Sequence, residues 1–155
     1  MIALRGFQEG DEPALRAVFE SAIHGTARRD YSQLQIDTWA PRDHDRAAWA
    51  SRMQGLRPFV ALVGDAIAGY ADLQPSGYVD HFYVSSAAGG QGVGGALMRR
   101  ILARAGELGL AELTSHVSLT AQPFFARFGF EVVEHRVVDM RGVAMRNAAM
   151  RKTLR

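Results

Sequence analysis

Ala87-Ala88-Gly89-Gly90-Gln91-Gly92-Val93-Gly94-Gly95 stands between two runs of different period. Before it, Tyr78–Val84 is dense in aromatic and β-branched residues and reads as a strand. After it, Val93, Leu97, Ile101, Leu102, Ala105 and Leu108 recur at helical spacing, and Gly109 closes the helix. Five of the seven residues from Gly89 to Gly95 are glycine. Glycine costs about 1 kcal/mol relative to alanine inside a helix, so such a helix start needs a compensating gain. Glycine also lets backbone approach a ligand closely and take positive φ. The first N–H groups of a helix have no partner within it, and the helix dipole adds positive potential there. Strand, glycine loop and helix therefore predict an anion site suited to a diphosphate.

Outward from the loop, the flanking runs predict the architecture. Ile2–Arg5 reads as a short strand, and Asp11-Glu12-Pro13 as an N-cap with proline in the first turn of a helix. Leu15, Val18, Phe19, Ala22 and Ile23 carry that helix to about His24, with Gly25 as its stop. Short helices are expected near Ser32–Trp39 and Asp45–Met53. Tyr31, Trp39 and Trp49 in this segment either line a pocket or anchor a helical flap. Phe59–Val63 and Ala66–Leu73 form a hairpin about Gly64-Asp65. Beyond the glycine helix come a strand at Ala111–Val117, a short helix from Thr120 to Phe128 ended by Gly129, and strands at Phe130–Val138 and Val143–Met150. The expected fold is one α/β (α+β) domain over residues 1–155, with a mixed, mostly antiparallel central sheet of six to seven strands.

Composition limits the chemistry. Cysteine is absent, so disulfides, thiolate metal sites and a cysteine nucleophile are excluded; no metal is expected, and a cytoplasmic setting fits. No run approaches the ~20 apolar residues of a membrane span, and no signal peptide is visible. The net charge is +2 and the basic residues are almost all arginine. Arg99, Arg100 and Arg104 lie close together, as a solvated helix face or a phosphate patch. No dense basic stripe predicts nucleic acid as a partner. Gly90-x-Gly92-x-x-Gly95 formally fits the dinucleotide fingerprint, which leaves an NAD-dependent oxidoreductase as one alternative. Its mid-chain position after a meander argues against that, because too little chain follows for a doubly wound sheet.

Tyr83-Val84, a four-residue gap and Gly89–Met98 resemble motif A of the GNAT acyltransferases, where Gln or Arg, two residues, Gly, one residue and Gly or Ala open a helix. Ser118-Leu119-Thr120-Ala121-Gln122-Pro123-Phe124-Phe125-Ala126-Arg127-Phe128-Gly129-Phe130 resembles motif B, close to Asn-x-x-Ala-x-x-Phe-Tyr-Glu-x-x-Gly-Phe. The resemblance covers residues 2 to 154. It implies acetyl-CoA, or another acyl-CoA, bound where the strands Tyr78–Val84 and Ala111–Val117 splay apart, and direct transfer to an amine. Gly89, Gly90, Gln91, Gly92, Val93, Gly94 and Gly95 would take the diphosphate. Tyr83 and Val84 would flank the pantetheine arm, the Phe82 N–H would polarise the thioester carbonyl, and Ser118 would bond the cofactor arm.

Two residues depart from the family pattern. Gly89 stands in place of Gln or Arg. Phe125 stands where many members have a tyrosine that protonates the leaving thiolate, which leaves a non-catalytic acyl-CoA-binding module as a further alternative. An amine with a pKa near ~10 must lose a proton before attack, so a general base is wanted. Asp80, His81 and His116 are the candidates, with Asp80 sharing a strand face with Tyr78 and Phe82. Tyr31 and Trp39 are expected in the acceptor pocket. Many relatives are dimers, which implies a homodimer built on the last strands.

Overall fold

The computed structural model describes all 155 residues, Met1–Arg155. Eight strands and five α-helices alternate as β1 (Ile2–Gly6), α1 (Glu12–Ser21), α2 (Gln33–Trp39), α3 (Arg46–Leu56), β2 (Phe59–Val63), β3 (Ala66–Ala71), β4 (Tyr78–Val79), β5 (Phe82–Val84), α4 (Val93–Glu107), β6 (Glu112–Ser118), α5 (Gln122–Arg127), β7 (Glu131–Met140) and β8 (Val143–Thr153). The mixed, mostly antiparallel architecture follows the expectation. The strands form two four-stranded sheets, ordered β1-β2-β3-β5 and β4-β6-β8-β7.

The single strand expected over Tyr78–Val84 is two strands, and this break is why there are eight rather than seven. β4 pairs with β6 in parallel, Tyr78 to Thr114 and Val79 to Ser115. β5 pairs with β3 antiparallel, Phe82 to Ala71 and Val84 to Gly69. Asp80 and His81 lie at the break. Asp72, fully buried at the end of β3, causes it: one carboxylate oxygen accepts the N–H of Asp80 at 2.8 Å and of His81 at 2.7 Å. Ser115 closes the other side, its hydroxyl donating to the Val79 carbonyl at 2.8 Å.

Two cores flank the first sheet. Val60 and Tyr70 face a cluster with Leu15, Ile23, Ile36 and Met53, while Ala61 and Ala71 face Val93, Leu97 and Ile101 of α4. Alternation along β2 and β3 distributes the residues to the two sides. At Gly69 a Cβ would lie 2.9 Å from Val93 and 3.2 Å from Leu97, so glycine here lets α4 pack closely on the sheet. Leu108, expected on the apolar face of α4, is 42% exposed.

Other local expectations are corrected. Gly25 does not stop the first helix, which continues through a π turn at Ala22–Thr26 and a 3₁₀ turn at Ala27–Arg29. Asp11 makes no side-chain cap to α1; its carboxylate binds Arg5 at 2.8 Å and accepts the Gln8 N–H. Asp45 does cap α3, accepting the Ala48 N–H at 3.0 Å.

Candidate active site

The splay between β5 and β6 leaves two free strand edges facing one gap. β4 covers only Thr114 and Ser115 of β6, and β5 ends its own sheet. The Asp72 N–H donates to the His81 carbonyl at 3.1 Å, and the Ser85 N–H to the Ala68 carbonyl at 2.8 Å. Antiparallel ladders alternate bonded pairs with pairs whose N–H and C=O point outward. Phe82 and Val84 therefore turn their N–H groups away from β3, toward the gap.

At one end of the gap lies the glycine loop. Gly90 and Gly92 have φ of +78° and +87°, which side chains rarely tolerate. The N–H groups of Gly90, Gly92, Val93, Gly94 and Gly95 have no backbone acceptor, and the first helical bond is Ala96 N–H to Gly92 carbonyl at 3.0 Å. A Cβ at Gly94 would sit 3.1 Å from the Phe124 ring. The Arg99 guanidinium lies against Gly95, one turn earlier in α4, 3.1 Å from where a Gly95 Cβ would be. Of the three neighbouring arginines, Arg100 instead covers the Phe59 ring, and Arg104 pairs with Glu107 at 3.0 Å.

The other end of the gap opens into a cavity of ≈ 150 Å³. Its walls bring together Tyr31, Trp39, Asp80, Phe82, Tyr83, His116, Ser118 and Phe125. Tyr31 is pinned by its hydroxyl, which donates to the Arg146 carbonyl and accepts the Leu119 N–H at 2.9 Å. Trp39 packs edge-on against Tyr31, with ring centroids 5.4 Å apart. Trp49 has the other role: its indole N–H donates to the Glu12 carbonyl at 2.9 Å within the core, so it anchors the flap.

The three candidate bases are in different states. His81 is buried and lies outside the cavity lining. Its Nδ1 meets the Tyr70 hydroxyl at 3.0 Å and its Nε2 accepts from Arg52 at 3.1 Å. Burial pushes its pKa down to about 4, against the pull of Asp80. With both nitrogens engaged, His81 has no lone pair to offer the gap. Asp80 reaches the cavity, but its carboxylate pairs with Arg52 at 2.9 Å. His116 is exposed there, with Nδ1 3.2 Å from the Tyr78 hydroxyl and Nε2 without a protein partner. Partial burial, then Arg136, lower its pKa, which favours a neutral imidazole.

Asp72, Arg52 and Asn147 are additions from the structure, which also singles out Arg99 from the arginine cluster. Asp72 interrupts an apolar strand, a pattern that marks a buried, hydrogen-bonded carboxylate. Asn147 lines the cavity on β8, directly across from Ser118. The carboxylates of Asp30, Asp37 and Asp45 accept from Thr120, Gln33 and Ala48.

A two-sheet α/β domain, split by a broken strand beside a glycine-rich helix start, has the architecture of an acyl-CoA-dependent transferase. The chain belongs to the GNAT acetyltransferase family, whose domain model matches residues 27–154. It is 33% identical over 137 residues, covering 88% of this chain and 86% of the relative, to the uncharacterized N-acetyltransferase YafP of Escherichia coli. It is also similar to the crystal structure of a GCN5-related N-acetyltransferase of Rhodopseudomonas palustris, with a TM-score of 0.93, 30% identity and coverage of 98% and 95% of the two chains. The fold is shared with yncA of Salmonella typhimurium, whose structure holds its cofactor acetyl-CoA, at a TM-score of 0.70 and 20% identity over 100% of this chain and 95% of that one. The protein is accordingly an acyltransferase.

Proposed function

We propose that the protein transfers the acetyl group of acetyl-CoA directly to the amine of a small molecule or peptide. The observation that carries this reading is the pair of free edges at the splay, with outward N–H groups at Phe82 and Val84 and five unpartnered N–H groups in the glycine loop. The loop and Arg99 hold the diphosphate, with Arg99 supplying the charge that Gly89 lacks. Val84 holds the pantetheine arm, flanked by Tyr83, while Ser118 bonds the cofactor arm from the opposite edge. The Phe82 N–H polarises the thioester carbonyl and stabilises the charge that develops on its oxygen.

His116 takes the ammonium proton, directly or through one water, because its Nε2 is free and its lowered pKa keeps it neutral. Asp80 is the weaker candidate, as it must first leave Arg52. The amine nitrogen then adds to the thioester carbon and gives up its second proton to water, the C–S bond breaks, and the thiolate takes a proton from water, since Phe125 has none to give. The cysteine-free composition fits action in the cytoplasm.

The test is thiol release from acetyl-CoA with a panel of amines, with the product confirmed by mass as the N-acetyl amide. Amine-dependent release supports the reading. Acetyl-CoA binding without release for any amine supports the binding module instead.

The same reading includes a homodimer joined along β7. This ten-residue strand is an edge and carries three of the seven exposed large apolar residues, Val132, Val133 and Val137. The residues next to His135 are complementary about it, while Glu131 would face Asp139 at the ends. Antiparallel pairing of two copies would set Glu134 against Arg136 and Val133 against Val137, relieving an edge that otherwise invites uncontrolled pairing.

A further inference from the structure

We infer that the acceptor is a primary monoamine carried on an apolar or aromatic body with no carboxylate, its nitrogen received by Asn147. This inference rests on the acetyltransferase reading above. The Asn147 Oδ1 is fully buried and has no hydrogen-bond partner. Such orphaned acceptors are rare in native proteins, and here the atom belongs to a side chain lining the cavity. Register places Asn147 across from Ser118, which bonds the cofactor arm in this reading, and both share the cavity lining with Phe82. A primary amine brings two N–H groups once its ammonium has lost a proton: one donates to Asn147 while the lone pair addresses the thioester carbon. The other N–H leaves after attack, so atoms and charge balance as ammonium plus thioester giving amide, thiol and one proton.

The rest of the lining sets the body of the acceptor. Beyond the thioester position the walls are Tyr31, Trp39, Val138, Met140 and Met145. The only carboxylate there is Asp80, already paired with Arg52. A polycation such as a polyamine calls for several unpaired carboxylates, and none stands in the lining. An amino acid calls for a fixed cation against its carboxylate. The one arginine of the lining, Arg146, is exposed and contributes its carbonyl to Tyr31.

Thiol release under saturating acetyl-CoA is measured with phenethylamine and tryptamine. The comparators are phenylalanine, which adds a carboxylate, N-methylphenethylamine, which removes an N–H, and spermidine, which adds charge. The expected kcat/KM for phenethylamine exceeds that of each comparator by about tenfold or more. Asn147→Leu raises the phenethylamine KM about tenfold and leaves the acetyl-CoA KM unchanged. Should that variant misfold, Trp39→Ala is expected to raise the same KM. Preference for spermidine or phenylalanine overturns the inference. So does an unchanged phenethylamine KM in folded Asn147→Leu, or acetyl-CoA binding with no acetylation of the apolar amines. Absence of acetyl-CoA binding overturns the reading beneath it.

Discussion

Asp72 has a larger part in the site than its distance from the chemistry suggests. Its one carboxylate oxygen holds two consecutive N–H groups and so keeps the N–H groups of Asp80 and His81 out of either ladder. Burial raises its pKa, the largest influence on it, while the two N–H groups pull the other way. An amide would accept the same two bonds with no charge to desolvate. Asp72→Asn should stay within about 1 kcal/mol of the parent and keep its acetyl-CoA affinity. Asp72→Ala leaves two buried donors unmet, costs about 2–4 kcal/mol in urea denaturation, and weakens acetyl-CoA binding. Arg99 is expected to act on binding alone. Arg99→Ala should raise the acetyl-CoA Kd about tenfold and flatten its salt dependence, read by calorimetry at two salt concentrations. His81 makes stability depend on pH. Its folded pKa of about 4 lies below the ordinary histidine value of about 6.5, so the unfolded chain binds the extra proton in between. The contribution is whole above that window and is lost as pH falls through it, about 2 kcal/mol between pH 7 and pH 5. Urea midpoints should fall on that scale for the parent and much less for His81→Gln.

At the scale of elements, what the sequence revealed followed from pattern strength. The helix opened by the glycine loop announced itself by spacing and by a run of glycines that only a ligand would justify. Both helices of the 32–56 segment were also expected, near Ser32–Trp39 and Asp45–Met53, and in the structure Ser32 and Asp45 cap them. The break between β4 and β5 was not, because Tyr78–Val84 is uniformly β-like; what breaks it is a carboxylate on another strand. The burial of His81, one of the three candidate bases, was hidden for the same reason, since Tyr70 and Arg52, which engage its ring, lie elsewhere in the sequence. Asn147 escaped notice because one polar residue in an alternating strand ordinarily faces solvent. The β7 edge gives a prediction of its own. Arg136→Glu opposes like charges across a paired edge and should convert a dimer to monomers by light scattering, while adding Glu134→Arg restores it. A parent chain that is monomeric at high micromolar concentration contradicts the paired edge.

For the molecule as a whole, two cores and two sheets meet along a line where backbone hydrogen bonding is deliberately incomplete. Phe82 and Val84 on one side and His116–Ser118 on the other leave donors and acceptors that an extended ligand arm can complete, and α4 aims its free N–H groups at the same gap. No helix is long and apolar enough to cross a membrane. In the proposed function this gap takes acetyl-CoA, with its diphosphate on the glycine loop. Calorimetric titration of the purified chain with acetyl-CoA tests it most directly. Saturable binding is expected at one site per chain, and NADH does not displace it. Heat that fails to saturate up to high micromolar acetyl-CoA, or a site that NADH competes for, would contradict it.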